Sequence, residues 1–205
     1  MALAVAGCPN AASGVRLDVY PEAYAEVLCE RLLACCDASE IDSMFDGITD
    51  QASCEASLAA VARRSISDAT AGEQRYDTAA AGQCLDAIEA LACADFATWR
   101  TTDSETRALC DAVFVGTRAL GGACTDSDEC EGTRVCVEGG CADPLAIGAE
   151  CAGIEEGCAR GAHCFEGRCR LPQPASAPCA EHAECVSGRC ESSACAAVVV
   201  SCDGP

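Results

Sequence analysis

The sequence predicts a small disulfide-rich fold: an N-terminal helical bundle linked through cysteines, then tandem cysteine-rich repeats of mostly irregular chain with short strands. Three observations predict it. Cysteine supplies 21 of 205 residues, a density that marks disulfide scaffolds. Leu, Ile, Val and Phe together supply only 35 residues, under a net charge of −20, too little apolar mass to hold a large core unaided. The cysteines of the second half also recur in units spaced 27 and 28 residues apart. Bridges that restrict the unfolded chain make up for a thin core. They persist only in oxidising compartments, so the chain is expected to work outside the cytoplasm.

The same composition excludes several functions. All 13 basic residues are arginine, against 33 acids, which argues against binding nucleic acid or an anionic membrane by charge. No two cysteines stand three positions apart, so the Cys-x-x-Cys of zinc knuckles and thioredoxin-like sites is missing. The only histidines are His163 and His182. A phosphate-binding loop needs a lysine the chain does not have, and the serines around Ser187 and Ser192 lack the Gly-x-Ser-x-Gly turn of hydrolases. The expectation is a non-enzyme with no catalytic residues and no cofactor.

Residues 1–16 read as a leader, truncated at its start, followed by a tether. Val5-Ala6-Gly7-Cys8 resembles a bacterial lipoprotein box, in which cleavage precedes a cysteine that then carries lipid. The apolar stretch before it is barely six residues with no Lys or Arg ahead, shorter than the ~7–15 of a full signal peptide. Parity supports the same reading: 21 thiols cannot all pair, and setting Cys8 aside leaves an even 20. Lipidation of Cys8 is the expectation, and a bridge from Cys8 within the fold is its competitor. Residues 9–16 form the flexible tether. No stretch approaches the ~18 apolar residues of a membrane span.

Residues 17–118 are expected to form a disulfide-linked four-helix unit. In 21–37, Pro21 suits the first helical turn and Glu22 and Glu26 its positive end; Tyr24, Leu28, Leu32 and Cys35 share a face. In 50–67, Cys54, Leu58, Val61 and Ile66 lie near one stripe. In 77–93, Asp77 can cap, and Cys84, Ile88 and Leu91 follow at helical spacing. In 103–115, Thr102 and Glu105 fit a capping box, with Leu109, Cys110, Val113 and Phe114 as the stripe. The cysteines fall on the apolar faces, where they can join helix to helix, each bridge contributing ~2–4 kcal/mol. Stretches 38–49 and 68–76 serve as connections. Phe96, Trp99 and Arg100 lie between the third and fourth helices, either as an interface anchor or as a plug at the bundle's end.

Residues 121–205 hold three repeats, about 121–147, 148–175 and 176–205. Gly122-Ala-Cys124 recurs as Gly148-Ala-Glu-Cys151 and Ser176-Ala-Pro-Cys179. The units continue through Cys130, Cys136 and Cys141; through Cys158, Cys164 and Cys169; and through Cys185, Cys190 and Cys195, all expected in disulfides. Glu166-Gly-Arg-Cys169 also echoes Ser187-Gly-Arg-Cys190, leaving the third unit's register open by one cysteine. With Cys8 set aside, seven cysteines precede residue 122 and 13 follow. Both counts are odd, so at least one bridge must cross, and Cys202 is the candidate end.

This spacing is similar to the cysteine-rich N-terminal repeat of Dickkopf-type secreted proteins and, more loosely, to EGF-like modules, though no Cys-x-Cys occurs. The whole layout resembles cysteine-rich predicted lipoproteins of myxobacteria. The resemblance implies an extracellular or cell-surface location, outer-membrane lipoprotein included, and contact with another extracellular or surface protein; it implies no catalysis. Asp126, Asp128 and Glu129 resemble the start of a calcium-binding EGF-like module, alternating carboxylates being hard oxygen ligands, with a solvated acidic loop as the alternative. The functional expectation is therefore a recognition or adhesion module. A passive envelope or stalk protein is the alternative, and a hydrolase a distant third. The membrane is reached only through the lipid anchor, with the helical half near it and the repeats projecting outward.

Overall fold

The structure is a computed structural model that describes residues 14–38, 40–41, 47–96, 99, 104–151, 157–186, 189–196 and 202. It opens on helix α1 (Tyr20–Cys35), with Pro21 in the first turn and Ala25, Leu28, Cys29, Leu32 and Cys35 buried. Helix α2 (Gln51–Ala71) starts at a capping box. The Asp50 carboxylate accepts from the Ser53 amide at 2.8 Å and the Ser53 hydroxyl accepts from the Asp50 amide at 3.1 Å. Gly72, at φ +82°, ends it, the left-handed C-terminal position that glycine fills without strain. Strand β1 (Gln74–Tyr76) leads into α3 (Thr78–Glu89), where Asp77 accepts from the amides of Ala79 and Ala80, both at 3.0 Å. A short α4 (Cys93–Phe96) and α5 (Glu105–Asp111) follow, then strand β2 (Phe114–Gly116).

Three bridges join these helices. Cys29–Cys54 ties α1 to α2, Cys35–Cys93 ties α1 to α4, and Cys84–Cys110 ties α3 to α5. The sulfurs pack within a modest core that includes Leu28, Leu32, Leu58, Leu85, Ile88 and Val113, with Tyr20, Phe96 and Trp99 at its margins. Trp99 is only 5% exposed, which favours the plug; Arg100 lies outside the described residues.

The helices differ from the sequence expectation in several respects, α2 running on to Ala71 through part of the expected 68–76 connection among them. The fourth helix spans only Glu105–Asp111, and its cap is Ser104, whose hydroxyl accepts from the Arg107 amide at 3.1 Å; Thr102 lies outside the described residues. Val113 and Phe114 leave the helix because β2 pairs antiparallel with β1, Tyr76 opposite Phe114. An aromatic cross-strand pair of this kind favours strand over helix. The third helix ends at Glu89, short of Leu91. Finally, the buried stripe of α2 is Cys54, Leu58, Ala59 and Ala62, while Val61 is 55% exposed. A narrow alanine face lets α2 lie close against α1, and that leaves the adjacent position outside.

The repeat half is three copies of one small unit. Each has a hairpin: β3 (Val135–Val137) with β4 (Gly140–Ala142), β5 (His163–Phe165) with β6 (Arg168–Arg170), and β7 (Cys190–Glu191) with β8 (Ala194–Cys195). The third and fourth cysteines of every unit face each other across the hairpin: Cys136 and Cys141, Cys164 and Cys169, Cys190 and Cys195. They bond instead to the first and second cysteines. The bridges are Cys124–Cys136 and Cys130–Cys141, Cys151–Cys164 and Cys158–Cys169, Cys179–Cys190 and Cys185–Cys195. Cys190 therefore takes the third place in its unit.

The backbone repeats as strictly as the sulfurs. The amides of Arg118, Leu145 and Gln173 donate to the carbonyls of Glu129, Gly157 and Glu184, and those of Gly121, Gly148 and Ser176 to Cys141, Cys169 and Cys195. The buried residues that cluster inside each unit are its cysteines. Two-residue turns at Glu138-Gly139, Glu166-Gly167 and Ser192-Ser193 all have positive φ, as the hairpin turn that matches strand twist requires.

One bridge crosses between the halves: Cys36–Cys202, with a sequence separation of 166. The twenty described cysteines thus pair among themselves, and no cysteine of the chain remains to bridge Cys8, which lies outside the described residues.

Candidate recognition surface

Four rings build one corner of the helical half. Tyr20 lies 5.7 Å from Tyr24, 5.7 Å from Tyr76 and 5.6 Å from Phe114, centroid to centroid, and Tyr76 lies 5.3 Å from Phe114. Tilted and edge-on arrangements at these distances stabilise the cluster beyond simple burial. The Tyr76 hydroxyl donates to the Val15 carbonyl at 2.9 Å, pinning the start of the described chain to β1. Burial, reinforced by the Asp77 carboxylate, pushes the Tyr76 phenol up to about 12, so it stays neutral and a donor at every physiological pH.

Beside this cluster a groove of about 290 Å³ opens between α1, α2 and α5. Tyr24, Leu58, Val61 and Phe114 form its apolar lining and Trp99 one end; Ser65, Arg107 and Asp111 supply its polar groups. Helix caps position it. Ser104 donates to the Trp99 carbonyl at 3.0 Å while capping α5, which fixes Trp99 relative to the helix that carries Arg107 and Asp111. Those two form an ion pair at 3.5 Å on the groove's edge. Ring faces, an exposed valine and two charges can seat an apolar side chain and orient its flanks. The sequence reading missed this groove because it is made by β1–β2 pairing and by Val61 facing outward, neither of which helical periodicity signals.

The three candidate calcium ligands have separate tasks. The Asp126 carboxylate accepts from the Asp128 amide at 2.9 Å, capping a short 3₁₀ turn, Ser127–Glu129. Asp128 pairs with Arg160 of the next repeat at 3.2 Å. Glu129 is buried and accepts from the Thr125 hydroxyl at 2.5 Å, the Thr125 amide at 3.0 Å and the Asp126 amide at 3.1 Å. Those bonds, the Thr125 hydroxyl first, hold its carboxyl below the usual range against the opposing effect of burial. Among the described residues the three do not converge as a metal-binding group; the clusters close enough are cysteine trios and Cys36 with Glu40 and Cys202. Their sulfurs are in disulfides, not the thiolates a metal requires. Glu184 is buried at the matching place in the third unit, accepting from the Ala180 amide at 2.9 Å, so this acid is a recurrent internal cap.

The remaining singled-out residues are dispersed. His182 accepts from the Cys190 amide through Nδ1 at 2.9 Å, and the His163 ring lies 6.3 Å from Phe165. Ser192 sits in a hairpin turn, and Ser187 lies outside the described residues. Ten disulfides are consistent with an extracellular or secreted protein, and no described helix is long and apolar enough to cross a membrane. No protein-family model, curated protein or solved structure matches the chain.

Proposed function

We propose that this chain is a non-enzymatic recognition module of the cell surface or extracellular space, docking a partner protein in the groove beside Tyr24 and Val61. The carrying observation is the aromatic-lined groove, held open by covalently stapled helices on a chain of charge −20. Preorganised rings accept an apolar anchor without ordering cost, and the acidic surface selects a partner segment with basic flanks and speeds its encounter. Attachment through lipid on Cys8, as in the lipoproteins the layout resembles, belongs to the same proposal. Mass spectrometry of the native N-terminal peptide tests it: a diacylated or triacylated Cys8 supports the anchor, and an unmodified residue 1 removes it.

The uniform repeats favour a second reading, a passive envelope protein. Capture from intact native cells separates the two. A stoichiometric partner retained by the wild-type protein and lost with Val61→Asp supports docking in the groove. Equal recovery with both proteins, or no partner at all, defeats it.

A further inference from the structure

Nine of the ten bridges lie inside one unit, three in the helical half and two in each repeat. Cys36–Cys202 does not. The repeats do not need it for their interiors, since each already carries both of its bridges; its two sulfurs pack in the core of the helical half. It does, however, decide where the repeats lie.

Hydrogen bonds between the halves gather in the first repeat. The Gln74 side-chain amide donates to the Asp128 carbonyl at 3.3 Å, and Arg118, at the end of the helical half, donates its backbone amide to the Glu129 carbonyl at 2.9 Å and accepts from the Glu131 amide at 2.8 Å. Beyond that the units follow one another as a chain, each bonded mainly to itself. The second meets the first through exposed Arg160, which reaches Asp128 at 3.2 Å and the Ser127 carbonyl at 3.2 Å. Asp143-Pro144 and Leu171-Pro172 join the units; neither proline offers an amide, Asp143 pairs with Arg134 at 3.5 Å, and Leu145 and Gln173 just beyond are already bonded to the unit that follows, which confines each hinge to its dipeptide. Yet the far end of this array is buried in the helical core: Cys202 is 1% exposed and Cys36 5%. Only six residues lie between Cys195 and Cys202, a reach of at most about 25 Å over the seven steps.

We propose that Cys36–Cys202 is a clasp. It holds a hinged array closed against the helical half; removing it by substitution, or reducing it with a dithiol that supplies two electrons and two protons and leaves two thiols, lets the second and third repeats swing away while every unit stays folded. A stalk with the repeats projecting freely is the open form; the structure shows the closed one. This inference does not depend on the groove having a partner.

The test uses the full chain with fluorophores on non-natural residues at Glu30 and Val186, both exposed. Single-molecule energy transfer in Cys36→Ser/Cys202→Ser is expected to shift from one narrow distance population to a longer, broader one. Non-reducing peptide mapping should still find the other nine bridges. If those nine fail to form, the second variant keeps all twenty bridged cysteines and inserts ten Gly-Ser residues between Ala196 and Cys202. It should give the same lengthening with the clasp bond intact. An unchanged distance distribution in a correctly bridged variant of either kind overturns the proposal, because non-covalent contacts would then be holding the array.

Discussion

Gly116, the last residue of β2, lies directly against the backbone of Cys130 in the first repeat. A Cβ built there would overlap the Cys130 carbonyl oxygen and stand 2.6 Å from the carbonyl carbon of Glu129. The obstacle is backbone that the Cys130–Cys141 bridge holds in place, so it cannot yield as a flexible side chain would. The two halves therefore meet backbone to backbone, and only glycine allows it. Gly116→Ala is expected to destabilise the junction by about 1–3 kcal/mol, the cost typical of overpacking. Hydrogen exchange should speed up at the amides of Thr117 and Arg118, which donate to Glu73 and Glu129 across and beside this contact. Exchange in the third repeat should not change.

The helical half has little apolar mass to lose. Leu32 is 2% exposed on α1, packed among core residues that include Cys29 and Cys35. Leu32→Ala should cost about 2–5 kcal/mol, transfer plus cavity, measured by chemical denaturation with the bridges intact. The repeats' near-ultraviolet disulfide signal should persist through that transition, since their interiors contain no part of this core.

Hairpin turns give a contrast between units. Gly139 and Gly167 hold φ near +80° and +74°, where the third unit places Ser193 at φ +64°. The left-handed region costs a side-chain-bearing residue about 1–2 kcal/mol. Gly167→Ala should therefore weaken the second hairpin by about 1 kcal/mol, whereas Ser193→Gly should strengthen the third by somewhat less, because glycine also frees the unfolded chain. Stepwise reduction with a phosphine reads both: Cys158–Cys169 should open sooner in the first variant and Cys185–Cys195 later in the second.

Asp77 supplies a pH test. The amide of Ala80 first, and that of Ala79, hold its carboxyl below the usual value despite some opposing desolvation. A carboxyl lowered in the folded state stabilises above its unfolded pKa, ~3.9 for Asp, and that contribution fades as pH falls through the lowered folded value. Asp77→Ala should thus lower the melting temperature clearly at pH 6–7 and progressively less below about pH 4. Asp77→Asn keeps an acceptor oxygen, so its smaller deficit should vary little with pH.

Much of this architecture was legible because cysteine spacing and helix caps are local signals. Pro21 and Asp77 mark two helix starts within a residue or two, and the odd count in each half demanded a crossing bridge that the structure makes at Cys202. The groove was not legible. It needs Phe114 to leave a helical stripe for a strand opposite Tyr76, a pairing 38 residues apart in sequence that no local period encodes. Nor did the acids of 126–129 declare themselves as caps: alternating carboxylates suit a cation and a 3₁₀ turn equally, and the Thr125 hydroxyl that Glu129 accepts from is a contact only the folded loop makes.

All of this rests on sulfur bonds standing in for an apolar interior. The direct measurement is to take the protein from its own cells, alkylate free thiols at once, and map the peptides without reduction. Ten linkages are predicted, Cys36–Cys202 and a first-to-third, second-to-fourth pair in every repeat among them, with no alkylated cysteine from Cys29 onward. Recovery of most of those cysteines as alkylated thiols would contradict the account.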